Sequence, residues 1–153
     1  MSNKNKIILK NKEAAFSYEL IDSFEAGLVL SGPEVKSVKN GRVSLKGSYI
    51  SIDQSSEAWL VGAHIAPYLP AKGNQADYEP DRRRKLLLNK KEIHSLLGKG
   101  KQKGLTIIPL SVYTKRGLIK VEIALARGKS KVDKRETIKK REAQREIRRA
   151  MKV

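Results

Sequence analysis

The chain has 153 residues, a formal net charge of +17 and no cysteine. Its length suits one domain with a tail, and the lack of cysteine excludes disulfides and thiolate catalysis and suits a reducing compartment. No stretch reaches the length of a membrane-spanning helix and the N-terminus lacks a signal-peptide core, so we expect a soluble cytoplasmic protein.

The positive charge is concentrated in two segments. Residues 82–104 hold nine basic and one acidic side chain, and residues 127–153 hold twelve basic and four acidic, so each segment has a net charge of +8. Residues 1–81 are almost neutral. Like charges held this close repel one another unless a ligand neutralises them, so the pattern predicts a polyanion binder. The alternative is a pair of solvated cationic faces.

The first elements in chain order are an arm and two strands. Residues 1–12 are polar and lysine-rich, which predicts a flexible basic arm. Phe16, Tyr18 and Leu20 alternate with polar neighbours, which indicates a strand. A second strand is predicted near Glu25–Leu30.

A short helix is predicted after these strands. Ser31 and Glu34 have the spacing of a capping box, and Pro33 suits the first helical turn. Gly41 suits the stop at the C-terminal end. The Glu34 carboxylate completes this capping box.

A hairpin and a long loop follow. The segments SYISI and EAWLVG, separated by DQSS, predict two paired strands. We expect Trp59 to lie in the core of its strand. Residues 66–81 hold three prolines and predict a long loop, of the kind that is usually functional or disordered.

The next segment combines charge with a helix start. Arg82–Lys85 are four consecutive basic residues, and the apolar run Leu86–Leu88 that follows is interpreted as core. Asn89 and Glu92 form a second capping box. The sequence GKG at the end of this helix predicts an early stop.

A second hairpin leads into the tail. LTIIPLSVYT and LIKVEIALA flank KRG and give the clearest hairpin pattern in the chain. Pro109 predicts an edge strand or a bulge. Residues 134–153 carry only a narrow, broken apolar stripe, and an isolated basic helix of this length is marginal in water.

These elements predict a mainly β protein. The fold expected is an antiparallel barrel of the oligonucleotide-binding type, with about six strands, two to three short helices and a basic C-terminal tail. The domains expected are a flexible arm at 1–12, an RNA-binding barrel at 13–126, and a tail at 127–153 that is disordered when free.

No motif requires an enzyme, a metal or a cofactor. His64 and His94 lie in different predicted elements with no nearby cluster of carboxylates, so no metal site is expected. Tyr68, Tyr78 and Tyr113 are candidates for stacking on unpaired bases. We expect a monomeric binding protein without catalytic residues.

At this point the sequence resembles a known family. EAGLVLSGPEVKSVKNG, SY, HIAPY, RKLLLNKKEI and GKSKVDKRETIKKRE occur in the order and spacing of the bacterial SsrA-binding proteins, also called small protein B. The resemblance implies an oligonucleotide-binding-type barrel that binds the tRNA-like domain of transfer-messenger RNA. It also implies delivery of that RNA to stalled ribosomes with the elongation factor Tu, tagging of the nascent chain, and help in charging by alanyl-tRNA synthetase.

The resemblance also implies roles for particular residues. Glu34, Leu87 and Asn89 match the RNA-binding positions of the family. Phosphate would repel the Glu34 carboxylate, so in that role it would accept hydrogen bonds from a base; the alternative is that it only completes its capping box. With the nearby charges, the predicted RNA-binding set is Glu34, Lys36, Arg82, Arg83, Arg84, Lys85, Leu87, Asn89, Lys90 and Lys91. The tail is expected to become helical in the decoding centre and message channel of the small ribosomal subunit. Its expected contacts are Gly128, Lys129, Lys131, Asp133, Lys134, Arg135, Lys139, Lys140, Arg141, Arg145, Arg148 and Met151. Val132 departs from the family, which commonly has Tyr or His there.

Two rival functions share some of these features. A ribosomal or other structured-RNA protein would have the same charge and barrel. A cationic membrane-surface protein is disfavoured, because a membrane-bound helix needs a broad apolar face and the tail lacks one.

Overall fold

The computed structural model describes residues 6–70, 77–100, 104–129 and 131–151, with side chains at 138–150 in the last range. These residues form one large antiparallel sheet, one small sheet and four helices. In chain order the elements are β1 (Lys6–Lys10), α1 (Lys12–Ser17), β2 (Tyr18–Leu28), α2 (Gly32–Lys39), β3 (Val43–Ser44), β4 (Tyr49–Ile52), β5 (Ala58–Val61), β6 (His64–Ile65), β7 (Arg84–Leu87), α3 (Lys90–Gly100), β8 (Leu105–Lys115), β9 (Leu118–Gly128) and α4 (Lys131–Met151).

The large sheet has the strand order β1-β8-β9-β2-β7-β5-β4, and β3 pairs with β6 in the small sheet. Strand β4 lies at one edge of the sheet, and its Cα atoms come within 8 Å of those of β8. The large sheet is therefore strongly curved and encloses the side chains on its inner face. The side chains that it encloses form the core, which includes Val38, Leu60, Ile65, Leu86, Leu96, Val121, Ile123 and Leu125. The prediction of a mainly β protein is confirmed.

The hairpin of β8 and β9 is confirmed in detail. Its turn is Arg116–Gly117, and both residues have positive φ, +52° and +79°, as a tight two-residue hairpin turn requires. Ile107 faces Leu125 and Val112 faces Val121, with a shift of register between Pro109 and Ser111. Pro109 therefore lies at a bulge, as predicted, although β8 is not an edge strand because β1 pairs with its other side.

The structure differs from the predicted elements near the N-terminus. Residues 6–10, predicted as part of a flexible arm, form β1 and pair with β8, while residues 1–5 lie outside the described part. The strand predicted over Phe16, Tyr18 and Leu20 is wrong at Phe16, which lies in α1. From Tyr18 onwards it forms one long strand, β2, with the strand predicted near Glu25, and a bulge lies between Leu20 and Asp22. Both differences arise because strand pairing depends on a distant partner and not on the local pattern.

Local signals predicted some helix boundaries and missed others. Helix α2 has the predicted capping box between Ser31 and Glu34, whereas the predicted early stop of α3 is wrong, because α3 continues through both of its glycines to Gly100. Strand β9 extends to Gly128, so the first two residues of the predicted tail belong to the sheet. Residues 131–151 are helical, which is the conformation expected on the ribosome; disorder of the free tail stays a prediction. In the described part of the chain, no helix combines the length and apolar character needed to cross a membrane.

Candidate nucleic-acid interface

A buried ion pair joins helix α2 to strand β7. The side chain of Glu34 is 1% exposed and that of Arg84 is 0% exposed. Arg84 Nη2 donates to Glu34 Oε2 at 2.7 Å, and Arg84 Nε donates to the same oxygen at 3.0 Å. The capping box places the carboxylate at this point, because Ser31 N–H donates to Glu34 Oε1 at 3.0 Å. The two elements are thus held together by a charged contact between residues fifty positions apart.

Further hydrogen bonds satisfy the remaining polar atoms of this pair. Arg84 Nη1 donates to the carbonyl oxygens of Ala63 at 3.0 Å and Pro80 at 2.8 Å. The Tyr78 hydroxyl accepts from Arg84 Nη2 at 2.9 Å and donates its one proton to Ile65 O at 2.8 Å, with Glu34 Oε2 as the alternative acceptor at 3.2 Å. Such complete pairing is what makes a buried charge tolerable.

The pair controls the ionisation of its own members. Burial alone would raise the pKa of Glu34, but the hydrogen bond from Ser31 and those from Arg84 outweigh burial and lower it. Glu34 therefore remains a carboxylate at neutral pH. Burial and the neighbouring Glu34 charge raise the pKa of Tyr78, so its hydroxyl remains a donor.

Arg82 links the buried pair to the surface. Its Nη2 donates to Glu34 Oε1, and its side chain is 39% exposed. The next residue, Arg83, is also exposed. Successive side chains along a strand point to opposite faces of the sheet. Arg84 therefore points into the core while its neighbours remain outside. Four consecutive basic residues in the sequence therefore do not form a continuous cationic surface.

The burial of Glu34 and Arg84 changes two predicted contacts. Both side chains are enclosed, so neither presents a surface to a ligand in this structure. The sequence signal for Arg84 was charge alone, and charge does not show which way a side chain points. Between the two interpretations of Glu34, the capping box is present, and the ion pair is an additional role that the sequence did not indicate.

The other end of β7 carries an exposed leucine and a polar helix start. Leu87 is 57% exposed, so the interpretation of Leu86–Leu88 as core is wrong for its middle residue. A side chain on Gly27, the partner of Leu87 across the sheet, would lie 3.3 Å from the Leu87 Cβ. Gly27 therefore leaves room for Leu87 above the sheet.

Helix α3 begins directly after this leucine. Asn89 Oδ1 accepts from Glu92 N–H at 2.8 Å, and Glu92 Oε1 accepts from Asn89 N–H at 3.2 Å. This confirms the second capping box. Asn89, Lys90 and Lys91 are exposed, and the first turn of a helix adds backbone N–H groups and the positive end of its dipole.

Lys85, Lys36 and Tyr113, which are also predicted candidates, each contact another side chain of the protein. Lys85 points outward from β7 and pairs with Glu57 at 3.3 Å. Lys36, on α2, is exposed and lies 5.4 Å from the centre of the Tyr68 ring. The Tyr113 hydroxyl donates to Glu25, and burial together with that carboxylate raises the pKa of Tyr113.

The expectation that Trp59 lies in the core is wrong. The residue is only partly buried, on the outer side of β5, and the guanidinium carbon of Arg83 lies 3.8 Å from the centre of its ring. A core position was predicted because aromatic side chains in strands are buried to a large extent on average. Its alternation with the buried Ala58 and Leu60 was the available signal.

In α4, the described basic side chains of the tail are exposed. Gly128 ends β9, and Lys129 N–H donates to Ser17 O at 2.8 Å, which ties the start of the tail to α1. The predicted tail contacts with described, exposed side chains are Lys139, Lys140, Arg141, Arg145 and Arg148. Those whose side chains lie outside the described part are Lys131, Asp133, Lys134, Arg135 and Met151.

Within the described residues, no three or more histidine or acidic side chains converge as metal ligands would. His64 Nδ1 lies 2.8 Å from Asp81 Oδ1 at the surface. This arrangement is a single exposed pair.

Comparison with known proteins adds an independent line of evidence. The model of the family described as SmpB protein matches residues 8–153. An SsrA-binding protein of Gloeothece citriformis is 49% identical over 99% of both chains, and one of Trichodesmium erythraeum is 51% identical over 96% of this chain and 93% of the relative. A solved chain from "tmRNA-SmpB: a journey to the center of the bacterial ribosome" is 44% identical, with a TM-score of 0.65 over 85% of this chain and 93% of that one.

Proposed function

The chain belongs to the SmpB protein family, and from this membership we propose that it binds transfer-messenger RNA and acts with it in ribosome rescue by trans-translation. The family match over residues 8–153 carries the proposal. The solved chain from the transfer-messenger RNA complex of the ribosome supports it. The geometry of β7 and α3 is consistent with this function, since residues 82–91 combine exposed cations with an exposed leucine, Leu87, and an exposed amide, Asn89.

In this proposal, the charged residues supply affinity for RNA and the uncharged residues supply specificity. Arg82, Lys90 and Lys91 are exposed and suit phosphate oxygens, which supply most of the affinity but little choice of site. Leu87 and Asn89 carry no charge and suit contacts with bases or riboses, which supply the choice.

Glu34 acts on RNA through Arg82 in this proposal. A carboxylate with 1% exposure offers nothing to a base, but its Oε1 accepts a hydrogen bond from the half-exposed Arg82. Glu34 is therefore a positioning residue that fixes the guanidinium where a phosphate can reach it. The family position implied for RNA binding thus keeps its importance without a direct contact.

The finer parts of the proposal concern architecture and partners. The curled sheet is of the oligonucleotide-binding type, and the tail enters the decoding centre and message channel as a helix. Elongation factor Tu and alanyl-tRNA synthetase are partners through the RNA. The protein works as a monomer in the cytoplasm, where the ribosomes are, and contributes binding and no catalysis.

The test is to recover the protein from a bacterial lysate and sequence the bound RNA. Transfer-messenger RNA is expected as the dominant species. Ribosomal RNA without it would favour the rival function, a structured-RNA protein of another kind, and would overturn the proposal.

A pair of variants controls for simple charge attraction. Lys90→Glu changes an exposed lysine at the start of α3, whereas Lys10→Glu makes the same change in β1, at the far edge of the sheet. Only Lys90→Glu should weaken binding markedly and lower the magnitude of the salt slope by roughly one. Equal loss from both would indicate attraction without a defined site.

A further inference from the structure

Trp59 stands on the outer surface of the sheet, among the strands that lead to the proposed RNA site. It pairs with Ser51 of β4 on one side and Lys85 of β7 on the other. Its neighbours along β5, Ala58 and Leu60, are both 1% exposed and fill the core. The indole therefore lies beside an exposed serine and a lysine, on the side of the sheet that faces away from the core.

The indole is held in a fixed position. Its Nε1 donates to Asp53 Oδ2 at 2.9 Å. The other oxygen of Asp53 accepts from the N–H groups of Ser55 at 2.9 Å and Glu57 at 3.0 Å. These bonds lower the pKa of Asp53, the bond from Glu57 most of all. The Asp53 carboxylate in the β4–β5 turn thus fixes the ring in place. Because the ring is already ordered, ligand binding there costs little conformational entropy.

Arg83 covers this ring with a flat cation. A separation of 3.8 Å between the guanidinium carbon and the ring centre is stacking distance. Arg83 is exposed and directly follows Arg82, which the Glu34 network holds in place. One face of the Arg83 guanidinium lies against the Trp59 ring, and its other face is open to solvent.

We infer that Trp59 and Arg83 form a stacking site for one unpaired base of a bound RNA. The base would lie on the outer face of the Arg83 guanidinium, with the indole supporting that guanidinium from below. Planar cations and aromatic rings are the groups on which proteins stack unpaired bases. The inference rests on the proposed function, since it adds a site for a base beside the phosphate contacts of residues 82–91.

A phosphate contact by Arg83 would also bring RNA to this point. The two cases differ in what the side chain must be, because a phosphate needs only charge, whereas a stacked base needs a flat surface. Lysine keeps the charge and loses the plane. Phenylalanine keeps a flat ring at position 59, and leucine keeps the apolar volume without the plane.

The experiment measures the affinity of the full chain for transfer-messenger RNA and for single-stranded oligo(A) of nine nucleotides. Arg83→Lys and Trp59→Leu should each weaken oligo(A) binding at least about fivefold, the scale of losing one stacked base. Trp59→Phe should bind within about twofold of the parent. Thermal melting of each variant, followed by circular dichroism, checks that the fold is kept.

The chain also carries its own reporter. Trp59 is the single tryptophan, so its emission and its accessibility to acrylamide report on this site alone. Saturation with oligo(A) should change the emission and reduce quenching by acrylamide in the parent protein. Because this readout needs no substitution, it remains available if Trp59→Leu does not fold.

The outcomes separate this inference from the proposed function. Parent-like affinity of Arg83→Lys together with unchanged tryptophan emission, while transfer-messenger RNA still binds, overturns the stacking site and leaves the function standing. Failure of the parent protein to bind any RNA overturns the function itself.

Discussion

Replacing Glu34 with alanine should destabilise the fold as well as weaken RNA binding. The substitution leaves Arg84, with 0% exposure, without its carboxylate partner in the core. It also removes the acceptor for Ser31 N–H in the capping box. A direct RNA contact at the surface would instead predict lost binding with unchanged stability.

The size of the effect follows from these two losses. Breaking a buried ion pair by removing one partner costs about 3–5 kcal/mol, and losing one of the two capping-box hydrogen bonds, that from Ser31 N–H, costs about 1 kcal/mol. A domain of this kind has roughly 5–15 kcal/mol of stability in total. The melting temperature should therefore fall by about 10–20 °C, at roughly 2–4 °C for each kcal/mol.

Thermal and urea unfolding, followed by circular dichroism, measure the loss. Their pH dependence has a definite sign. The folded-state pKa of Glu34 is below its ordinary value of 4.5, so its stabilising effect is complete above pH 4.5 and is lost as the pH falls through the folded-state pKa. The stability gap between the parent and Glu34→Gln should be constant near neutral pH and should close in acid.

Glu57→Ala is the matched control. Glu57 also pairs with a basic residue of β7, Lys85 at 3.3 Å, but both side chains are about 40% exposed. Exposed pairs contribute about 1 kcal/mol or less. If Glu34→Ala melted at the same temperature as Glu57→Ala and still lost RNA, the positioning role would be wrong and a direct contact correct.

Three further predictions concern the RNA site and the tail. Asn89→Ser keeps an oxygen for the helix cap but loses the amide NH₂. The variant should keep the melting temperature of the parent and bind RNA about two- to tenfold more weakly, as loss of one hydrogen bond implies. Parent-like affinity in a gel-shift assay would show that Asn89 does not contact the RNA. Affinity should fall linearly with salt on a log–log plot, as release of counterions from phosphates requires, and a flat plot would contradict the cationic site. Removing residues 134–153 should leave binding to isolated RNA unchanged and abolish tagging in a translation assay, whereas loss of both would contradict separate roles for the sheet domain and the tail.

Local patterns in the sequence were sufficient for several elements. The capping boxes at Ser31 and Asn89 and the hairpin around Arg116–Gly117 were all predicted and all found. These features depend on residues a few positions apart, so their hydrogen bonds can be inferred from spacing alone. The clustering of charge likewise needs no structure, and with the family motifs it indicated RNA.

Only the tertiary structure decided which of those residues are exposed and which are buried. Arg84 and Arg83 are adjacent and identical in type, yet one is enclosed with Glu34 and the other lies over Trp59. The difference comes from the pairing of β7 with β5, which sets the face of every side chain in the strand. The sequence by itself determined the caps, the turn and the total charge, because these depend on local geometry and composition. Only the structure showed that Glu34 and Arg84 form a buried ion pair and that the Trp59 ring is partly exposed, because both features depend on contacts between segments far apart in the chain.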